Sequence, residues 1–158
     1  MRPLTEAQIR ASFVNCSKGE AKRLSLPRDL PERPWDDLDF LGWRDPSGSH
    51  RSYLISEQDD RVVGVVLRTV TPSRGRQRRL LCSLCLTSHT GDGVSLMTAG
   101  RSDGNSFGLY ICTDLDCSLY LRGIKKAGPG GRFDESLQLE TQIGRTRDKL
   151  ADFLAPLL

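Results

Sequence analysis

Four of the five cysteines in this 158-residue chain fall into two pairs. Cys82-Ser83-Leu84-Cys85 is a C-x2-C pair, and Cys112 and Cys117 form a C-x4-C pair after 26 intervening residues. Thiolates at such spacings suit a tetrahedral metal, because zinc takes four ligands with Zn–S bonds of about 2.3 Å. A C-x2-C turn supplies two sulfurs from one tight knuckle. The second pair falls at the end of an expected strand and the first turn of an expected helix, where the helix N-terminus favours thiolate. The pattern predicts a structural Zn2+ held by Cys82, Cys85, Cys112 and Cys117. Four thiolates on one zinc leave a site charge of about −2.

Other chemistries suit the residues less well. A C-x2-C alone also fits disulfide exchange, but a second pair at metal spacing favours a metal. A catalytic zinc keeps an open position, which four cysteines would close. The zinc-deaminase pattern fails, since no H-x-E motif occurs and Leu81, not proline, precedes Cys82. Cys16 is left over and reads as a core thiol on the apolar face of a first helix. His89 follows the knuckle and is the alternative fourth ligand, although an ordinary loop histidine is expected; His50 is the other histidine. The "GPGG" at 128–131 lacks the Lys-Ser/Thr of a phosphate loop. No Ser/His/Asp or paired-carboxylate arrangement stands out, so the chain is not expected to be an enzyme.

The elements that must position the cysteines follow from caps and periodicity. Thr5–Gln8 and Ser17–Glu20 read as capping boxes. Ile9, Phe13 and Cys16 are expected on one face of the first helix, with a restart running to Leu24. Residues 27–47 hold four prolines and read as an extended connection anchored by Trp35, Phe40 and Trp43. "RSYLIS" (51–56) and "RVVGVVLRTV" (61–70) form an expected hairpin through Glu57–Asp60. Leu80–Leu81 leads into the knuckle, and 94–99 with 107–111 makes a second hairpin. Asp114 is expected to cap a short helix over Leu115–Leu121, and 128–131 reads as a loop. Asp134 is expected to cap a long final helix with Leu139, Ile143, Leu150, Phe153, Leu154 and Leu157 on one face, weakened in the middle by Gly144. The reading is α+β in one domain, 1–158. It comprises a helical and Pro/Trp-rich segment (1–47), a β-rich finger core (48–132) and a C-terminal helix (133–158).

Composition bounds the partners. The chain is 37% hydrophobic and 27% charged, which fits a globular protein, and its net charge of +3 is too mild to announce nucleic acid. Arginine outnumbers lysine 18 to 5. Arg68, Arg74, Arg76, Arg78 and Arg79 fall in one acid-free stretch, and Arg122, Lys125, Lys126 and Arg132 in another. No apolar run approaches the roughly 20 residues of a membrane span. No apolar leader opens the sequence, so reduced thiols in the cytoplasm are expected.

Strand, knuckle, hairpin and cysteine-bearing helix start is the order of a treble-clef zinc finger. Beyond that order, "CSLC" at 82–85 and "CTDLDCSLYLRG" at 112–123 resemble the C-terminal zinc-finger domain of elongation factor G-binding proteins, the FusB-type family linked to fusidic acid resistance. "SFVNCSKGEAKRL" and "PWDDLDFLGWRDP" are similar to the small single-module members, so the likeness spans most of the chain. The resemblance implies structural zinc on the four paired cysteines. It also implies a surface that contacts elongation factor G and helps it leave a drug-stalled ribosome. In the family that surface uses aromatic and basic side chains near the knuckle and hairpin; the knuckle here holds Ser83 and Leu84. The resulting expectation is a monomeric binding module for elongation factor G or a related translation GTPase. Arg74, Arg76, Arg78 and Arg79 would steer it, with Arg122, Lys125 and Lys126 also at the contact surface. The alternative is a zinc finger that binds RNA, ribosomal RNA included. There arginines would meet phosphates and Phe107 or Tyr110 would stack on a base, although both aromatics also suit hairpin core.

Overall fold

The computed structural model describes residues 1–70, 79–128 and 131–158. Arg74, Arg76 and Arg78, together with Pro129 and Gly130 of the expected loop, lie outside the described residues. A five-stranded antiparallel sheet runs in the order β1-β2-β3-β6-β7. Its strands are β1 (Phe40–Arg44), β2 (Arg51–Gln58), β3 (Arg61–Val70), β6 (Val94–Gly100) and β7 (Ser106–Cys112). A separate ladder pairs β4 (Arg79–Leu81) with β5 (Ser88–Thr90). The helices are α1 (Glu6–Ala11), α2 (Lys18–Arg23), α3 (Cys117–Leu121) and α4 (Leu139–Leu154).

Alternation along the strands divides the core between the two faces of the sheet. Phe40, Leu54, Val65 and Leu67 point to one face, where they join the four paired cysteines, α3 and Leu150, Phe153 and Leu154 of α4. Leu41, Trp43, Tyr53 and Ile55 point to the other, where Ile9 of α1, Ala21 of α2 and Trp35 cover them. Both faces are therefore dry, which explains why Ser52 to Ser56 is buried without a break. Strands covered on both sides read as continuous apolar runs rather than alternating ones.

The expected β2–β3 hairpin is present, and Asp59 and Asp60 turn it with positive φ of 45° and 62°, the backbone a two-residue turn needs. Both capping boxes are also present, at Thr5/Gln8 and Ser17/Glu20. Each such cap stabilises by about 0.5–2 kcal/mol.

Four local expectations are corrected. Residues 40–44 are an edge strand, not part of an extended connection; all four prolines of 27–47 stand outside them, so nothing breaks their pairing with β2. The first helix ends at Ala11, because Ser12–Val14 pairs instead with β3 at Gly64. Asn15 continues that edge with its side chain, accepting from Val66 N at 2.8 Å and donating to Val66 O at 2.9 Å. Phe13 and Cys16 are thus not helical, and Cys16 is half-buried beside the N-terminal cluster. α3 begins at Cys117 rather than Leu115, and Asp114 does not cap it. α4 begins at Leu139, not beside Asp134, because the Gln142 side chain donates to Leu137 O at 2.6 Å and holds the approach outside the helix. The buried stripe of α4 is Gln142, Thr146, Leu150, Phe153 and Leu154; Leu139 is exposed and Ile143 only half-buried. No helix among the described residues is long and apolar enough to cross a membrane.

Candidate metal centre

The first knuckle is a tight reversal between β4 and β5. Leu86 takes a positive φ of 56°, and its N–H donates back to Cys82 O at 3.1 Å, while Cys82 N donates to Thr87 O at 2.9 Å. The second knuckle repeats the device: Leu115, at φ 63°, donates to Cys112 O at 2.9 Å. Leu115 can turn that way because Gly42 of β1 lies beneath it. A Cβ on Gly42 would stand 2.4 Å from Leu115 Cβ.

These turns bring the four Sγ atoms of Cys82, Cys85, Cys112 and Cys117 within 4.8 Å of one another, all fully buried. Cys82 and Cys117 stand 3.7 Å apart and Cys85 and Cys112 3.5 Å. A tetrahedron with bonds of about 2.3 Å has edges of about 3.8 Å. The donor set therefore fits a tetrahedral divalent cation with sulfur at all four positions.

The electrostatics point the same way. Hydrogen bonds from Cys112, Cys117 and Cys82 draw Cys85 far below the usual thiol range, while burial followed by its sulfur neighbours pushes Cys117 far above it. Four thiolates packed this closely out of water repel one another, and a bound cation would let all four deprotonate. All five cysteines are free of disulfides.

Three elements hold the first knuckle from outside. Thr146 of α4 donates its hydroxyl to Leu84 O at 3.2 Å, and Lys149 donates to Ser83 O at 3.0 Å. Ser83 N donates to Tyr110 O of β7 at 2.8 Å. Arg132 donates to Cys85 O and to Leu121 O, and its guanidinium also meets Gln142. Glu135 then pairs with both Arg132 and Arg145. Thr146, Lys149 and Gln142 were not singled out from the sequence. Two polar residues on the inward stripe of α4 were the available signal, since a buried polar side chain needs a partner.

His89 is not an ordinary loop residue. It sits on β5 with Nε2 3.4 Å from Cys112 Sγ, its ring edge-on to Tyr120 at 4.9 Å. It touches a sulfur of the cluster from outside, while four cysteines already complete the tetrahedron.

The expected contact cations are placed unequally. Arg122 forks onto Asp39 at 2.6 and 3.2 Å, and Arg147 joins from α4 at 2.9 Å. Burial would raise the Asp39 carboxyl, but the Arg122 hydrogen bond and charge, with Arg147, hold it below the usual carboxylate range. Lys125 bridges Asp114 at 2.9 Å and Asp116 at 2.6 Å, and Tyr120 donates to Asp114 at 2.7 Å. Both cations therefore brace α3 instead of standing free. Lys126 and Arg79 are exposed. Of the two hairpin aromatics, Phe107 packs against the core, whereas Tyr110 points away with 46% exposure, contrary to a core role.

Among protein families, the FBP C-terminal treble-clef zinc-finger matches residues 8–157, essentially the whole chain. Searches of the curated proteins and of the solved structures return no match.

Proposed function

Because the chain belongs to the FBP C-terminal treble-clef zinc-finger family, we propose that it is a zinc-stabilised cytoplasmic binding module that docks on elongation factor G or a related translation GTPase. A zinc ion on the four cysteines would supply no reaction centre; it would lock both knuckles and the β6–β7 hairpin in place. A surface held in that way loses little conformational freedom on docking, which leaves more of the contact energy as affinity. The module acts by binding and not by catalysis, and release of the factor from the ribosome follows from competition for its surface.

The observation that carries this reading is Tyr110. The knuckle lacks an aromatic, but Tyr110 stands exposed on β7 directly beside it, tied through the Ser83 N–H. Exposed Leu81 precedes the same knuckle, and Lys149 places a cation on it through Ser83 O. A rigid aromatic on a knuckle that also carries an apolar and a basic group is the composition of a protein-binding hot spot. Surface plasmon resonance of the zinc-loaded protein against purified elongation factor G tests the reading. Saturable binding that weakens about tenfold or more in Tyr110→Ala, with zinc content unchanged, supports it. No binding by the parent protein would overturn it.

A further inference from the structure

At the far end of the β6–β7 hairpin from the cysteines, a cavity of about 640 Å3 opens between α2, the ends of β2 and β3, and the Gly100–Arg101 turn. Val94 pairs with Cys112 at one end of that hairpin and Gly100 with Ser106 at the other, a separation of roughly 20 Å along the strands. Four arginines line the cavity, Arg23, Arg51, Arg68 and Arg101, against two carboxylates, Glu20 and Asp45.

The carboxylates are already engaged. Asp45 accepts from Tyr53 OH at 2.8 Å and from Ser47 N at 2.9 Å. Glu20 accepts from Ser17 N at 3.0 Å and lies 3.9 Å from Arg51. Arg101 leans on exposed Asp103 at 3.3 Å, and neither Arg23 nor Arg68 has an ion-pair partner among the described residues. The carbonyls that end α2 would repel an anion, but Arg10 donates to Ala21 O, Lys22 O and Leu24 O, and Trp43 to Ser25 O. The cavity is thus left with surplus, unneutralised guanidinium charge.

The cavity also continues in both directions. It shares Arg51 and Arg68 with a second hollow of about 650 Å3, and Asn15, Arg101 and the already engaged Glu20 with a third of about 530 Å3. A single small anion would need one hollow; a connected row with arginines at successive points suits a chain of anions. Guanidinium groups fork onto phosphate oxygens more readily than lysine does. Tyr53, the aromatic on the wall, is buried with its hydroxyl taken, so no ring is presented for base stacking.

We propose that this groove holds the phosphodiester backbone of a single-stranded nucleic acid, read by charge and not by sequence. The site is separate from the finger surface, and the inference stands whether or not the finger docks on a protein.

Fluorescence anisotropy with a labelled oligouridine of about 12 nucleotides, titrated between about 50 and 200 mM salt, tests it on the zinc-loaded chain. The parent should bind with a steep salt dependence. Arg68→Ser with Arg101→Ser should weaken binding about tenfold and lower the salt slope by roughly one and a half, at about 0.7 per lost single-strand contact. An oligothymidine of equal length should bind about as well. The arginines that follow Val70 in the sequence are controlled by Arg74, Arg76 and Arg78 all to Ser, which should leave the groove-dependent part intact. Zinc content and melting temperature report that each variant is folded. No binding by the parent, an unchanged slope in the groove variant, or total loss in the control variant would each overturn the proposal. So would competition by uridine monophosphate as strong as that of the oligomer at equal phosphate concentration.

Discussion

The two faces of the sheet are built by different physics. On one, Ile9, Trp35, Leu41, Trp43, Tyr53 and Ile55 pack as an ordinary apolar layer under two short helices, each opened by a capping box. On the other, four buried sulfurs sit inside a second apolar layer, and three polar side chains, Thr146, Lys149 and Arg132, hold the backbone carbonyls of their first knuckle. The apolar face is held by area removed from water. The sulfur face is arranged to take a divalent cation, which would let packed thiols ionise together in a dry pocket.

The largest effect is expected from Cys82→Ser or Cys117→Ser. Structural zinc contributes about 10–16 kcal/mol in small finger peptides, so either variant should lose the metal and the order of the sulfur face. Metal analysis with a thermal melt checks this. A variant that melts like the parent would show that the sulfur face packs without an ion.

Trp43→Ala removes a large ring from the opposite face and should cost about 4 kcal/mol in urea unfolding, while zinc content stays at one per chain. Loss of zinc in this variant would mean that the faces are not independent.

Asp39→Asn should cost about 3 kcal/mol, because it strands Arg122 beside a neutral partner in a buried site. The same pair sets an acid limb. The folded carboxyl is held below its ordinary value, so its stabilisation is full above the unfolded pKa, about 3.9, and is lost as pH falls through the lower folded value. Stability against urea should therefore fall more steeply below about pH 4 in the parent than in Asp39→Asn. Equal acid limbs would contradict the assignment.

Gly42→Ala drives a methyl against Leu115 and should cost about 2 kcal/mol, felt at the second knuckle as faster zinc loss to a chelator. Cys16→Ala should cost about 1 kcal/mol and leave zinc untouched, since Cys16 is only half-buried and outside the cluster. Burial pushes its thiol up, followed by Glu20, so slow alkylation near neutral pH is also expected.

The cysteine cluster and the hairpins were readable in the sequence for a physical reason: cysteine spacing and turn composition are local signals. Both capping boxes were local too, and both are present at Thr5 and Ser17. What escaped was set by tertiary partners. Phe40–Arg44 looked like part of a proline-rich connection until β2 supplied its ladder. Phe13 fitted a helical period, yet the open edge of β3 at Gly64 drew it into a bridge. Arg122 and Lys125 read as free cations because Asp39 is 83 residues from Arg122, and Asp114 precedes α3 in the sequence whereas Lys125 follows it. Thr146 and Lys149 were invisible, as their targets, Leu84 O and Ser83 O, lie more than 60 residues away.

X-ray absorption at the zinc edge of the purified protein reads the composition of the metal shell itself. About one zinc per chain with four sulfurs at about 2.3 Å and no nitrogen is expected. A nitrogen in the shell would make His89 a ligand and one cysteine a bystander. Substoichiometric zinc in freshly purified, unchelated protein would contradict a metal-built face altogether.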